Sequence, residues 1–244
     1  MRMFAGPNGS GKSTLKPVLP KKLLGYYINP DDLEKEIRDG GLDLRSFGVK
    51  ASTSEIQDFY RNSSFLMSLG LNSIADRIEL SDGILTFASP DLNSYCASVL
   101  SDFLRRKLIE NKSSFTFETV MSSHDKVDLL KQARSQGYRT YLYYIATDDP
   151  SINVSRVRNR VKAGGHSVPE DKIVSRYKRS LELLVEAIQN SDRAFIFDNS
   201  LHQQGHTWLA EFLDGRLTGL KSAIVPTWFK KAVIDKMAVP PSSI

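Results

Sequence analysis

The run Gly6-Pro7-Asn8-Gly9-Ser10-Gly11-Lys12-Ser13 limits what this chain can fold into more than any other feature. It fits the phosphate-loop pattern G-x-x-x-x-G-K-[ST] without a gap. Three glycines let the backbone turn tightly and aim successive N–H groups at one anion. The apolar Met3-Phe4-Ala5 ahead of the loop reads as a short strand. Ser13-Thr14-Leu15 reads as the start of a helix whose N-terminus adds partial positive charge. Gly6 through Thr14 are therefore the expected nucleotide contacts. Lys12 would reach the β- and γ-phosphates of a nucleoside triphosphate, and the Ser13 hydroxyl would bind Mg2+. The plain alternative is an ordinary Gly/Ser turn.

Periodicity extends this start into an α/β fold. Five short apolar runs read as buried parallel strands: Arg2–Ala5, Tyr26–Asn29, Phe115–Glu118, Thr140–Ala146 and Ala194–Phe197. The fourth, with Tyr141-Leu142-Tyr143-Tyr144-Ile145, lacks polar alternation, as a strand covered on both faces should. Helical patterns fall between them. Asp125–Gln136 ends at Gly137, Ser151–Lys162 follows a capping Asp149-Pro150, and Lys172–Asn190 is long and amphipathic. The expectation is a phosphate-loop nucleotide-binding domain with a five-stranded parallel sheet and helices on both faces. Pro17 and Pro20 require the first helix to be short or kinked.

One interval breaks the rhythm. Over eighty residues separate the second and third strands, far more than a crossover helix needs. Residues 40–93 are expected to form an inserted helical cap or subdomain within one kinase-sized domain spanning 1–244. The tail after Gly215 is weakly patterned, with Pro226-Thr227-Trp228-Phe229 expected to pack back on the body.

Composition narrows the class of function. The 244 residues carry 41% hydrophobic and 25% charged side chains, ordinary for a globular protein. No stretch nears the ~20 apolar residues that span a bilayer, and no signal peptide precedes the loop. A cytoplasmic protein without membrane contact is expected. The single Cys96 excludes an intrachain disulfide and reads as a buried thiol. The 33 basic and 28 acidic residues are interspersed, which argues against a nucleic-acid partner.

Three further segments hold candidate chemistry. Strand-end residues of an open α/β sheet face the ligand crevice. Ile28-Asn29-Pro30-Asp31-Asp32-Leu33 ends the second strand, so Asp31 is the candidate base for an acceptor hydroxyl. Asp32 is then the cap of the helix that follows, although either aspartate could serve only as a cap. Phe115–Ser123 delivers Glu118 and Thr119 to the sheet edge, where they suit hydrogen bonding to a polyol, sugar or nucleoside. The alternative is a strand-end carboxylate paired with an arginine.

The third segment, Arg156–Pro169, reads as two helices meeting at Gly164-Gly165. Arg156 and Arg160 share one face, and Arg176 and Arg179 return from the far side. Arginines on a closing lid would neutralise phosphoryl transfer, although a solvated surface helix has the same composition. His166 is expected to fix the hinge. The turn Phe197-Asp198-Asn199-Ser200 is a place for an adenine ring beside Asn199.

Together Ala5–Thr14, Ile28–Leu33, Phe115–Ser122 and Arg156–Ser180, with Gly-Gly-His-x-Val-Pro at Gly164–Pro169, resemble the zeta-toxin family of phosphate-loop kinases. The resemblance reaches from the N-terminus to about Ser200. It implies an adenylate-kinase-like fold and ATP-dependent phosphorylation of a hydroxyl, in known members that of UDP-N-acetylglucosamine. By position it implies Lys12 and Ser13 for ATP and Mg2+, Asp31 as base and Glu118 near the acceptor sugar. Arg160 and Arg176 would act on the phosphates, with the choice among Arg156, Arg158 and Arg160 open. A monomer or weak oligomer is expected, and an antitoxin partner is left open. A nucleoside or antibiotic phosphotransferase, or a non-catalytic ATP-dependent interaction protein, would share much of this pattern.

Overall fold

A computed structural model of the chain describes residues 1–88, 93–201 and 205–238. The described strands are β1 (Arg2–Ala5), β2 (Tyr26–Ile28), β3 (Leu42–Asp43), β4 (Ile78–Ser81), β5 (Ile84–Phe87), β6 (Phe115–Thr119), β7 (Tyr141–Ala146), β8 (Arg193–Asp198), β9 (Thr207–Leu213) and β10 (Arg216–Leu220). The helices are α1 (Lys21–Leu24), α2 (Pro30–Arg38), α3 (Thr53–Arg61), α4 (Ser64–Ser68), α5 (Ser94–Glu110), α6 (Asp125–Ser135), α7 (Pro150–Lys162), α8 (Glu170–Glu182), α9 (Leu184–Gln189), α10 (Thr227–Phe229) and α11 (Asp235–Ala238). The chain divides into two compact units, Met1–Leu24 with Thr116–Ile244, and Gly25–Phe115. All five expected strands form.

In the first unit the strands follow the order β10-β9-β8-β7-β1-β6. β1 pairs in parallel with both β6 and β7, and β7 pairs in parallel with β8. The core is built from the runs that lacked polar alternation: Met3, Phe4, Phe117, Leu142, Tyr144, Ala194 and Ile196 are all buried. Helices begin and end where local chemistry predicts. Asp149 caps α7 by accepting from Ser151 N at 2.7 Å, with Pro150 in the first turn. α6 stops at Ser135, just before Gly137 adopts φ +83°.

The expected parallel sheet is extended by two antiparallel strands, β9 against β8 and β10 against β9. Their hairpin turns on Asp214 (φ 48°) and Gly215 (φ 74°), between the paired Leu213 and Arg216. Positive φ at both central residues is the turn that follows strand twist, and Asp-Gly is a common sequence for it. The helix expected at Lys172–Asn190 is interrupted at Leu183, between α8 and α9. The backbone there has ψ −8°, off helical values, while Ala187 N still bonds Leu183 O at 3.0 Å. After the phosphate loop the chain forms only a 3-10 turn, Lys12–Val18, because Pro17 cannot donate within a regular helix.

The C-terminal segment packs back, with Trp228 and Phe229 buried. Asp198, at the end of β8, accepts from Trp228 Nε1 at 2.7 Å, Ser200 Oγ at 2.7 Å and Ser200 N at 3.0 Å. Trp228 N donates to Asp148 Oδ1 at 3.2 Å.

In the second unit, β3, β5 and β4 form an antiparallel sheet beside α2, α3, α4 and α5. Residues 40–93 therefore contain strands as well as the expected helices, closed by a second Asp-Gly turn at Asp82 (φ 48°) and Gly83 (φ 79°). Tyr60 of α3 donates to Cys96 O of α5 at 2.7 Å, and Cys96 is fully buried, as expected. Among the described residues no helix is long and apolar enough to cross a membrane.

Trp228→Phe keeps an aromatic ring, though a smaller one, and removes one donor from the buried Asp198 carboxylate. It should lower unfolding stability by about 1–3 kcal/mol. Urea denaturation checks this, and an unshifted midpoint would show that the indole N–H contributes nothing.

Candidate functional site

The phosphate loop leaves β1 at Ala5 and turns in the space left by its glycines. A Cβ on Gly6 (φ +141°) would collide with the Ile145 carbonyl, and one on Gly11 (φ +98°) would collide with the Asn199 amide. Both positions therefore combine a left-handed backbone with no room for a side chain. Two asparagine side chains brace the loop from outside. Asn153 on α7, fully buried, donates to Asn8 O at 2.6 Å, and Asn199 donates to Ser10 O at 2.8 Å. Asn8 Oδ1 and Ser10 Oγ are buried without a hydrogen-bond partner.

Lys12 folds over the loop, with Nζ 2.9 Å from Gly6 O and 3.1 Å from Pro7 O. Its ammonium thus lies over the concave backbone that an anion would fill. Ser13 Oγ donates to Glu118 Oε2 at 3.2 Å. This contact follows from register: Glu118 lies opposite Phe4, one residue before Ala5 meets Thr119. A hydroxyl and a carboxylate are hard oxygen donors that suit Mg2+, which usually keeps several waters and phosphate oxygens as well. The residues present fit that ion.

Thr119 Oγ1 accepts from Met121 N at 3.0 Å, and buried Met121 has φ +53°. The β6–α6 connection thus turns sharply just after Glu118 and Thr119. Tyr177 on α8 donates to Thr147 O at 2.7 Å, anchoring α8 to the end of β7. Burial, then the nearby Asp148, Asp149 and Asp198 carboxylates, push its phenol well above the usual range. Asp149 is held below its usual carboxyl range, first by its hydrogen bonding to Ser151.

The two helices expected around Gly164-Gly165 form as α7 and α8, separated by residues 163–169 and packed through Val154, Val157 and Ile173. Its arginines differ. Arg158 pairs with Glu170, Nε to Oε1 at 2.9 Å. Arg160 Nη2 donates to His166 O at 3.1 Å, so His166 takes part in the hinge through its carbonyl. Arg179 Nε donates to Ser122 O at 3.1 Å. Arg156 Nη1 is buried and lacks a hydrogen-bond partner among the described residues. Arg176 is half-buried on α8.

Asp31 lies in the second unit, exposed in the first turn of α2. The expected cap of that helix is corrected: Asn29, not Asp32, is the N-cap, and its Oδ1 accepts from Asp31 N at 3.0 Å. Pro30 fixes the first helical residue, which brings both aspartates inside the helix. The first unit brings Glu118, Asn153 of α7 and Asn199 onto the phosphate loop, and it also carries the arginines of α7 and α8. Three residues join them that sequence reasoning missed. Asn153 braces Asn8, His206 Nε2 contacts Thr14 Oγ1 and lies 3.4 Å from Gly11 O, and Trp228 anchors Asp198. Nothing in local sequence marks these contacts, since each spans over 140, over 190 and 30 residues respectively.

Residues 91–204 match the family model described as Zeta toxin. A Haemophilus influenzae protein described as uncharacterized is 33% identical over 69 residues, covering 28% of this chain and 49% of its own length. The crystal structure of AvrRxo1-ORF1:AvrRxo1-ORF2 with sulphate ions superposes over 100% of this chain and 64% of its own, at a TM-score of 0.54 and 13% identity. The AvrRxo1-ORF1:-ORF2 structure with ATP gives a TM-score of 0.51 at 13% identity, over 100% of this chain and 65% of its own. At that identity the likeness is one of fold. The chain thus spans under two thirds of the length of these relatives.

Gly11→Ala forces a Cβ into the Asn199 amide at a left-handed φ. In the reading proposed below it should weaken ATP binding about tenfold or more, consistent with backbone strain of 1–3 kcal/mol placed on the anion cradle. Isothermal titration calorimetry measures it, and wild-type affinity would mean that the loop tolerates the distortion.

Proposed function

We propose that this protein, whose residues 91–204 match the zeta-toxin model, binds ATP with Mg2+ and transfers the γ-phosphoryl group to a hydroxyl of a small molecule, a sugar nucleotide such as UDP-N-acetylglucosamine. The observation that carries this reading is the contact of Ser13 with Glu118 beside Lys12, on a glycine loop that fits an anion. Lys12 exchanges its two carbonyl partners for phosphate oxygens, which a cation prefers. Ser13, with Glu118 behind it, would hold Mg2+, which neutralises charge on the β- and γ-phosphate oxygens. The buried, unpartnered Arg156 Nη1 supports Arg156 as the lid arginine that meets the nucleotide. Arg158 is already paired with Glu170, and Arg160 and Arg176 complete the cationic lid in this reading.

Asp31 is proposed as the base that takes the proton of the acceptor hydroxyl. Glu118 and Thr119 would also orient the acceptor, an assignment that rests on the resemblance of Phe115–Ser122. A protein antitoxin is proposed as partner, supported by the two-protein composition of the AvrRxo1 crystals. Residues 40–93 are proposed as the acceptor cap of a single kinase domain.

ADP release from Mg-ATP, with and without a panel of UDP-sugars, nucleosides and phenicol or aminoglycoside antibiotics, tests the reaction. A UDP-sugar should stimulate release. Asp31→Asn should cut the stimulated rate by about 10²–10⁴-fold, the scale of general base catalysis, with ATP affinity kept. Stimulation by an antibiotic alone would replace the acceptor, and an unimpaired Asp31→Asn would remove the base.

A further inference from the structure

Two side chains from the connection after β8 reach the second half of the phosphate loop. Asn199 bonds the Ser10 carbonyl, and its amide occupies the space a Gly11 side chain would need. Asn199 is itself fixed, its N–H donating to Ala146 O at 2.8 Å at the end of β7. His206 reaches Thr14 Oγ1 and Gly11 O through the same nitrogen, Nε2. Its ring meets Phe197 edge-on at 6.4 Å, and Phe197 stacks on Trp208 at 6.5 Å. The imidazole is thus seated by β8 and β9 on one side and by the loop on the other.

Donor accounting assigns the ring's role. Thr14 Oγ1 donates its one hydrogen to Gly11 O at 2.6 Å, so it can only accept from His206. Gly11 O is an acceptor too. Both neighbours of Nε2 are therefore acceptors, and Nε2 carries the proton in a neutral ring, an assignment made from this network. The hydrogen bonds close a small cycle over Gly11–Thr14, the turn whose N–H groups face the shared phosphates of ATP and ADP. Gly11, with φ +98° and no Cβ, is the most pliable residue in that turn. An external clamp is what keeps such a residue in one conformation.

We infer that His206, together with Asn199, is a positioning residue that holds Gly11–Thr14 in its anion-binding shape before nucleotide arrives. The inference rests on the ATP reading for its consequence, because the loop shape matters only if phosphates occupy it. The clamp does not reach Lys12 Nζ, which bonds Gly6 and Pro7 at the other end of the loop. His206 therefore acts on what ADP and ATP share, whereas Lys12 reaches toward the γ-phosphate.

The test compares wild type, His206→Ala, His206→Gln and Lys12→Ala, each as the full chain, in calorimetric titrations with ADP and with ATP. His206→Ala should weaken both nucleotides equally, by about tenfold, the scale of one lost hydrogen bond in a preorganised site. His206→Gln, whose amide N–H can replace Nε2–H, should return to within about twofold of wild type. Lys12→Ala should penalise ATP more than ADP. A loss confined to ATP, no loss in His206→Ala, or a failure of the glutamine to rescue would overturn the inference. Amide hydrogen exchange of Gly9–Thr14 without nucleotide separates it from the ATP reading. If wild type binds neither nucleotide, that reading falls, while faster exchange of this loop in His206→Ala would still sustain the clamp and unchanged exchange would end it.

Discussion

Strand β1 is paired along its whole length on both sides, against Thr116–Thr119 of β6 and Tyr141–Tyr144 of β7. Met3, Phe4 and Ala5 are fully buried, so a one-residue slip would move their side chains to the opposite sheet face. This double constraint fixes where the chain leaves the sheet. Register then places Gly6 against the Ile145 carbonyl, a contact only glycine permits, and Glu118 beside the position from which the loop departs. The loop's shape is thus inherited from the sheet. Helical propensity adds little, since Pro17 reduces the following helix to one 3-10 stretch.

On that frame the loop is held by side chains that bond its carbonyls, while Ser10 N and Thr14 N close turns within it onto Pro7 O and Gly11 O. Asn153 takes Asn8 O, Asn199 takes Ser10 O, and Lys12 takes Gly6 O and Pro7 O. Side-chain donors that take only carbonyls fix these peptide units without competing for an anion, which a nest of successive N–H groups would bind. Leaving a buried guanidinium nitrogen such as Arg156 Nη1 unsatisfied costs stability. In the proposed reading an arriving polyphosphate supplies the missing acceptor, so the same groups that destabilise the empty site favour the occupied one.

The parallel core was legible because it is coded locally: apolar runs without alternation for the strands, Asp149-Pro150 and Gly137 for helix ends, and the glycine spacing for the loop. Two features were coded locally and still passed over, the Asp82-Gly83 and Asp214-Gly215 turns, each joining two strands with two residues between them. On β10 the apolar residues are spread among polar and exposed ones, and on β9 Glu211 interrupts the apolar run although Leu209–Phe212 is buried. Asn29 was read as strand because the proline after it obscured the cap pattern. The contacts of Asn153 and His206 with the loop could not be read, because long-range register, and no local pattern, brings them there; the packing of Trp228 on the body was legible, but its partner Asp198 was not. The lid arginines were located as a group, but what tells Arg156 from Arg158 is whether Glu170 stands within reach.

Strand-end carboxylates in an α/β sheet all lie toward the ligand side, so the first unit offers Glu118, Asp148 and Asp198 as oxygen donors. The structure separates them by their partners. Asp198 is buried and receives three donors, from the Trp228 indole and from the hydroxyl and backbone of Ser200. Asp148 receives the Trp228 backbone N–H. Both are therefore committed to holding the C-terminal segment, and releasing either would strip a buried donor of its acceptor. Glu118 instead meets the hydroxyl of Ser13, the loop residue whose oxygen the phosphate-loop pattern assigns to the metal. At Asp198 a divalent cation would have to displace three donors, whereas Glu118 already shares a contact with a hydroxyl of the loop. In the proposed reading this difference in partners places the metal end of the site at Ser13 and Glu118 and leaves the β7 and β8 carboxylates to structure.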